Sequence, residues 1–366
     1  MKAPVVTGVS AVTALGRTLA ETREALEAGR SAVASIEGPG VPDRAGRSPA
    51  ARIGAFTTEP ELPKSKARRL DRGSQYAMVA ARQCLADAGY AIAGREERTG
   101  ILFGTGSAGA GPLTEFERQM AASPESASPF LFPNTVANAP ASQAAIEIGI
   151  KGPNVTITQK DPAPLNALFY GRMLLADGRA DALLVGASDE WNLDYHLAYE
   201  RIHATRTATR TGFVLGEGAA ALLVEDEEAA RARGARVFAR VASVVSRGAP
   251  ISPQRRRADP ATLAAVIGAA LAEAGISPRD VGLVHLSRNG VPATDAAEEA
   301  ALAAVFGLAR PRTLAVKDAL GENPAIGAIQ LALAADALRT DPACGAVLVN
   351  AFGAGGNFLA AVLAAL

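Results

Sequence analysis

The sequence is poor in cysteine and histidine, the residues that most often form disulfides or bind transition metals. It has two cysteines, Cys84 and Cys344, and three histidines among 366 residues. Two thiols are too few for a disulfide framework, and the histidines lack metal-ligand spacing and cysteine partners. Both cysteines lie in apolar segments, so we predict that they are buried and inert. We expect neither a metal nor another cofactor.

The chain also lacks an excess of charge of either sign. Lys+Arg and Asp+Glu each total 37, and this balance gives no reason to expect nucleic acid or an anionic membrane as a partner. No stretch approaches the ~20 continuous apolar residues of a membrane span, and the first residues lack a signal-peptide pattern. We expect a cytoplasmic protein. Hydrophobic residues make up 49% of the chain, which suits a globular α/β protein.

Strand and helix signals alternate along the chain. Short apolar runs typical of buried strands occur at Ile101–Gly104, Ala182–Val185, Ala219–Val224, Val281–Leu286, Ala346–Val349 and Phe358–Val362. Helical patterns occur at Asp71–Ala88, Leu113–Met120, Ala141–Ile148, Pro260–Ala274, Asp295–Phe306 and Ile326–Leu338. This alternation predicts βαβ units, mostly parallel sheets, and two similar halves at residues 1–235 and 236–366. Ser246–Asp259, which contains Arg255–Arg257, is predicted as a surface loop.

Residues 152–190 read as a strand, a turn, a helix and a second buried strand. Asp161 and Pro162 stand where the helix begins. Aspartate is a favoured N-cap residue, and proline is favoured at the first helical position. The pair therefore predicts that Asp161 is a structural helix cap, which would contribute about 0.5–2 kcal/mol.

Several segments resemble, in order, the motifs of the β-ketoacyl synthases of the thiolase superfamily. Besides residues 152–190, they are Val5–Gly16, Arg68–Ala77, Ser128–Asn138, Gly212–Ala219 and Asn350–Asn357. Each glycine-rich piece alone would be a weak signal, but the ordered set covers nearly the whole chain. The resemblance implies the thiolase fold, with two pseudo-duplicated βαβ-rich halves in an α-β-α-β-α layered arrangement.

The resemblance also implies that the catalytic residues of the family are missing. Asp161 stands at the cysteine position, while Ser287 and Glu322 stand at the two histidine positions. Lys317 of the family pattern is retained; it could pair with Asp161 or Glu322, and we expect a structural ion pair. Aspartate cannot form an acyl thioester, and Glu322 would repel the carboxylate of malonate.

Two further sets of site residues follow from the resemblance. The turn Gly353, Ala354 and Gly355 corresponds to a vestigial oxyanion hole. His285 lies two residues before the first histidine position, and we predict that all three histidines are structural or surface residues.

One branch of the family has lost the cysteine, and this chain is similar to it. That branch is the chain-length factor, the β subunit of type II polyketide synthases. The resemblance implies a heterodimer with an active ketosynthase α subunit, contact with an acyl carrier protein through the complex, and a polyene-like product. The residues expected at the interface and the acyl tunnel are Leu113, Phe116, Met120, Phe130 and Thr135.

Two other functions remain open on the sequence. The first is a stand-alone enzyme with altered chemistry at Asp161, Lys317 and Glu322. The second is a homodimeric protein that binds acyl chains. An ordinary active synthase is excluded, because neither Cys84 nor Cys344 opens a suitable strand–helix turn.

Overall fold

The computed structural model describes residues 3–37, 48–251, 258–308 and 310–366. Its strands are β1 (Val5–Thr13), β2 (Val33–Ala34), β3 (Ala50–Ala51), β4 (Thr99–Thr105), β5 (Asn154–Thr158), β6 (Ala182–Asp189), β7 (Leu215–Gly216), β8 (Gly218–Glu225), β9 (Ala239–Gly248), β10 (Val281–His285), β11 (Arg312–Leu314), β12 (Ala346–Phe352) and β13 (Asn357–Ala364). Its α-helices are α1 (Leu19–Glu27), α2 (Lys64–Ala67), α3 (Arg72–Asp87), α4 (Ala110–Ala122), α5 (Ala139–Ile148), α6 (Ala163–Ala176), α7 (Leu193–Arg201), α8 (Glu227–Ala232), α9 (Pro260–Ala274), α10 (Pro292–Phe306), α11 (Lys317–Leu320) and α12 (Ile326–Thr340). No helix in these ranges is both long and apolar enough to cross a membrane.

The large sheet contains the same five-strand arrangement twice. Its order is β11-β10-β12-β13-β9-β1-β8-β6-β4-β5, and β2, β3 and β7 form a small separate sheet. Counted from each outer edge inward, the two halves match strand for strand. The order β11, β10, β12, β13, β9 in the second half corresponds to β5, β4, β6, β8, β1 in the first. The halves join through a short seam in which Val5 pairs with Arg240 and Val6 with Ala239. This topology confirms the predicted duplication, while the boundary at residue 235 stays a prediction.

The predicted predominance of parallel pairing is wrong. In each half the outer three strands are parallel, but the remaining neighbours in the large sheet are antiparallel. A hairpin joins β12 to β13, where the Gly353 N–H donates to the Asn357 carbonyl and Gly356 adopts a φ of 82°. Apolar runs such as β8 and β13 reflect burial on both faces of the sheet, and they carry no information about strand direction.

Three hydrophobic clusters define the layers of the molecule. Along β6, Leu183 and Val185 face the cluster shared with α6 and α12, while Ala182 and Leu184 face the cluster that contains α3. This alternation is the two-residue period of a strand covered on both sides. On the far side, α9 and α10 pack against the second half of the sheet in a third cluster. The predicted α-β-α-β-α layering is therefore confirmed.

Close backbone approaches bring three loops together at one end of the central layer. A Cβ atom on Gly104 of β4 would lie 2.5 Å from the Ala163 carbonyl carbon, so only glycine lets α6 begin against this strand. A Cβ on Gly106 would lie 2.6 Å from Cγ of Pro324 and 2.9 Å from Cα of Lys160. The turn before α6 thus meets the segment that follows α11, and the two sequence halves contact each other there.

The predicted loop Ser246–Asp259 begins inside β9, which runs to Gly248. Its Arg255–Arg257 lies outside the described residues.

Candidate functional site

Asp161 lies in the turn between β5 and α6, but it does not cap the helix. Pro162 holds the N-cap position with φ −74° and ψ −12°, and no side chain accepts a hydrogen bond there. The backbone closes the turn itself, because the Ala163 N–H donates to the Lys160 carbonyl and Asn166 N–H to that of Pro162. The prediction that Asp161 is an N-cap is therefore wrong. Its carboxyl group interacts with Glu322 and Lys317 of the second half instead.

Lys317 is the buried cation of this site. Its Nζ lies 3.0 Å from Oε1 of Glu322, and the two side chains are only 3% and 9% exposed. Lys317 is the first residue of the short helix α11, and Glu322 follows Gly321, whose φ of 71° reverses the chain. The structural ion pair predicted for Lys317 is thus present with Glu322, and Asp161 acts on the same ammonium group through its charge.

The protonation of the three groups follows from burial and from one another. Asp161 keeps part of its surface exposed, but desolvation of its carboxyl group and the neighbouring charge of Glu322 raise its pKa well above the usual value, against the opposing effect of Lys317. Burial alone would lower the pKa of Lys317, but Glu322 and Asp161 outweigh it and raise that pKa. The arrangement favours a carboxylic acid, a carboxylate and an ammonium, which together are neutral.

Ser287 is engaged elsewhere. Its Oγ accepts a hydrogen bond of 2.9 Å from the Phe352 N–H, and its own N–H donates to Oε1 of Glu298 at 2.9 Å. Glu298 also accepts from the Arg288 N–H at 2.8 Å and from Nδ2 of Asn350 at 2.9 Å. The serine hydroxyl is fixed as an acceptor in the loop after β10, so nothing in this position resembles a base.

Two acidic residues of α10 organise this loop, and the sequence analysis missed both. Asp295 accepts from the Asn289 and Gly290 N–H groups at 3.0 Å each, and Glu298 does the same for Ser287 and Arg288. Burial raises the pKa of Glu298, and its backbone and Asn350 donors oppose this. Two acids in the first turns of a helix that follows a glycine-containing loop are the signal that could have identified them.

His285 is fully buried on β10, as predicted for a structural histidine. Neither ring nitrogen has a hydrogen-bond partner among the described residues. Burial lowers its pKa to about 3, so the ring is neutral at physiological pH.

The turn Gly353, Ala354 and Gly355 lies against the start of α6. A Cβ on Gly353 would come within 2.9 Å of Cγ of Pro162. The Gly353 N–H is already used in the hairpin, where it donates to the Asn357 carbonyl at 2.8 Å. The turn therefore lies next to Pro162, the residue that follows Asp161.

The five residues predicted for the interface and tunnel cluster on α4 and the segment after it. In the isolated chain they lie at the surface rather than around a closed tunnel. The exposed fractions of the large side chains are 41% for Leu113, 41% for Met120 and 81% for Phe130. Phe116 packs against Phe132 with ring centroids 5.6 Å apart, and the Thr135 hydroxyl donates to the Phe132 carbonyl at 2.9 Å.

The described residues contain no group of three or more His, Cys, Asp or Glu side chains that could hold a metal ion.

Two sequence profiles of one family match most of the chain. The profile of the β-ketoacyl synthase N-terminal domain matches residues 2–230, and that of the C-terminal domain matches residues 239–344. The chain belongs to the β-ketoacyl synthase family. The resemblance inferred from the ordered motifs is confirmed.

Individual relatives of this ketosynthase chain agree with the assignment. A 3-oxoacyl-[acyl-carrier-protein] synthase 2 of Vibrio cholerae is 29% identical over 312 residues, which cover 80% of this chain and 75% of the relative. The solved structure of the ishigamide ketosynthase/chain length factor superimposes with a TM-score of 0.88 at 26% identity and covers both chains completely. A β-ketoacyl synthase from Burkholderia phymatum gives 0.87 at 25% identity, again over both chains in full.

We expect Lys317→Met to destabilise the fold by about 3–5 kcal/mol, because it leaves the buried carboxyl group of Glu322 and the adjoining Asp161 without a cation. Urea unfolding would measure the change. Adding Asp161→Asn and Glu322→Gln to the variant should restore most of the loss, since no charge then remains to be compensated. Lys64→Met is the matched control, because that side chain is 71% exposed in its ion pair and such pairs contribute little. Wild-type stability in Lys317→Met would contradict this account of the site.

Stability should fall as the pH rises, with Asp161 as one cause. Its pKa in the folded state lies above the unfolded value, so its stabilising contribution is complete below the unfolded pKa and disappears as the pH rises through the folded pKa. The advantage of Asp161→Asn over wild type should therefore grow from acidic to alkaline pH in thermal melts. Asp177→Asn, at the exposed far end of α6, is the control and should follow wild type. A pH-independent difference for Asp161→Asn would exclude its titration as a cause.

Proposed function

We propose that this chain is a non-catalytic partner of an active ketosynthase, in the manner of the chain-length factor of a type II polyketide synthase. The observation that carries the proposal is the ion pair of Lys317 with Glu322, beside which Asp161 lies. Asp161 and Glu322 stand where the resemblance puts the family's cysteine and second histidine. A carboxyl group there cannot become an acyl thioester. Pairing with Lys317 supports a structural role for these residues.

Condensation also needs groups that hold a thioester oxygen and assist loss of carbon dioxide. In this chain Lys317 is bonded to Glu322, and the Ser287 hydroxyl oxygen is bonded to the Phe352 N–H. The negative charge of the carboxylate would repel the carboxylate of a malonyl group. These features favour a subunit that leaves the chemistry to its partner.

The exposed apolar surface on one side of the molecule supports a protein partner. Besides Leu113, Met120 and Phe130, it includes Phe132 at 61% and Val136 at 46% exposure. Large aromatic side chains are rarely left in contiguous contact with water in monomers, and such patches mark protein interfaces. We assign this surface, α4 together with residues 128–138, to the ketosynthase.

A second feature of the same half points to a partner. Strand β5 ends the large sheet, and within the part of the chain that the structure describes it pairs only with β4. Exposed apolar side chains on the helices that pack beside it are Ile146 at 76%, Tyr170 at 50% and Met173 at 44%. A groove of about 540 Å³ runs along β5 and α6 to the ends of β9 and β13. An open strand edge of this kind needs a cover, and the proposed partner would supply it.

The names of the relatives indicate the kind of substrate. The Vibrio cholerae relative is a 3-oxoacyl-[acyl-carrier-protein] synthase, and the ishigamide structure combines a ketosynthase with a chain length factor. By analogy, we propose that this chain works beside acyl groups on a carrier protein that reaches it through the complex. The product would be a polyketide, with a polyene as one form, made in the cytoplasm.

We expect the chain to form a heterodimer with the active ketosynthase encoded beside it. Phe130→Asp should raise the Kd of this complex at least about tenfold, because a charge then enters an apolar interface. Native mass spectrometry and titration calorimetry would measure both. Leu308→Asp is the control, because Leu308 is fully exposed beyond α10. Turnover of acyl-carrier thioesters by the chain alone would favour a stand-alone enzyme. A homodimer that ignores the ketosynthase would favour the acyl-chain binding protein.

We expect Phe116→Ala to lengthen the product of the assembled complex, because a shorter side chain deepens an apolar tunnel. Phe132→Ala should act in the same direction, since the two rings pack together. Product mass would report the length. Complex formation must be measured in parallel, since a buried Phe→Ala change costs roughly 3–5 kcal/mol. Unchanged product length for substitutions at Leu113, Phe116, Met120 and Phe130, in an intact complex, would exclude these residues as the measure of chain length.

A further inference from the structure

The carboxyl group of Glu190 lies between the N-termini of two helices. Its Oε2 accepts a hydrogen bond of 3.3 Å from the Gly73 N–H in the first turn of α3. Its Oε1 lies at the first turn of α4, because a Cβ on Gly111 would be 2.4 Å from it. The N-cap of α4 is Gly109, which supplies no capping side chain. Glu190 thus places a carboxyl group against the first turn of the helix that carries the proposed partner surface.

Charged groups from each neighbouring element surround this carboxyl group. Three carboxyl groups act on it directly: Asp71 before α3, Asp189 at the end of β6, and Glu217 before β8. The cations in the region are engaged with other groups: Arg72 and Arg52 act on Glu217, and Arg118 of α4 lies 3.9 Å from Asp194 of α7. The largest charge effects on Glu190 thus come from acids.

The environment raises the pKa of Glu190 into the neutral pH range. Burial, followed by the charge of Asp71, raises the pKa of Glu190 to about 7, and the Gly73 N–H opposes this. Burial also raises the pKa of Asp71, against hydrogen bonds from the side chain and backbone of Ser74.

We propose that docking of the partner on α4 is coupled to protonation of Glu190, so that the complex forms most tightly when this carboxyl group is neutral. The inference rests on the proposed function, because it assumes that a ketosynthase covers α4.

The coupling follows from solvent exposure. Glu190 is partly exposed in the isolated chain, so a partner seated on α4 removes water that stabilises the ionised form. Desolvation favours the acid, and the complex takes up a proton from solvent as the carboxylate becomes a carboxylic acid. By linkage, the affinity then falls as the pH rises, by at most about tenfold for each pH unit between the pKa of the free chain and that of the complex.

The test is the Kd for the active ketosynthase encoded beside this chain, measured between about pH 6 and about pH 9. Other groups on both proteins also titrate, so the informative quantity is the difference between wild type and Glu190→Gln. We expect wild-type affinity to fall at least about fivefold more than that of Glu190→Gln over this range. Glu117→Gln, an exposed residue of the same helix, should follow wild type.

A second measurement needs no variant. Calorimetry of the wild-type complex near pH 7.5, in two buffers of different ionisation heat, gives the number of protons bound on association. Net proton uptake that Glu190→Gln reduces supports the coupling. Parallel pH curves for wild type and Glu190→Gln, or no net uptake, would overturn it and leave the partner role intact. Absence of a complex at every pH would instead refute the proposed function, and the coupling with it.

Discussion

The ammonium group of Lys317, buried with the carboxyl groups of Asp161 and Glu322, is the interaction on which the middle of this molecule depends. Asp161 belongs to the first half of the chain, and Lys317 and Glu322 belong to the second. A single buried cation therefore neutralises acidic groups from both halves in the layer where they meet. Replacing such a set by apolar residues is often harmless, whereas removing one member is costly. The set constrains which substitutions these three positions tolerate.

The scaffold around this set is preserved independently of the chemistry. Gly104, Gly106 and Gly353 each allow backbones to approach more closely than a Cβ would permit, and each contact converges on the turn that holds Asp161. Asp295 and Glu298 hold the opposite loop through backbone N–H groups. The shape of the site is therefore determined by packing and backbone hydrogen bonds rather than by the side chain at position 161.

The sequence predicted those features that depend on local patterns and failed where tertiary contacts decide. Helix α9 was predicted at its observed bounds, because Asp259 caps it, Pro260 begins it and Gly275 ends it with a φ of 66°. Helix α7 was missed, because its charged and aromatic residues give no clear apolar stripe.

At the site, the positions of Asp161, Lys317 and Glu322 could be read from the ordered motifs, but their contacts could not. The cap signal of Asp161 was real as a local preference. In the fold, the Asp161 carboxyl group instead interacts with Glu322 and with Lys317, which lies 156 residues further along the chain. Strand direction was also beyond the sequence, since double-sided burial gives the same apolar run in either direction.

The two ends of the large sheet differ in a way that limits the addition of further strands. The β5 end offers a five-residue strand, whereas β11 at the other end has three residues, of which Arg312 and Thr313 are exposed. Short, charged edges resist further pairing. If a strand can be added only at the β5 end, two subunits form a closed pair and no fibre. The open edge at β5 therefore favours a finite assembly.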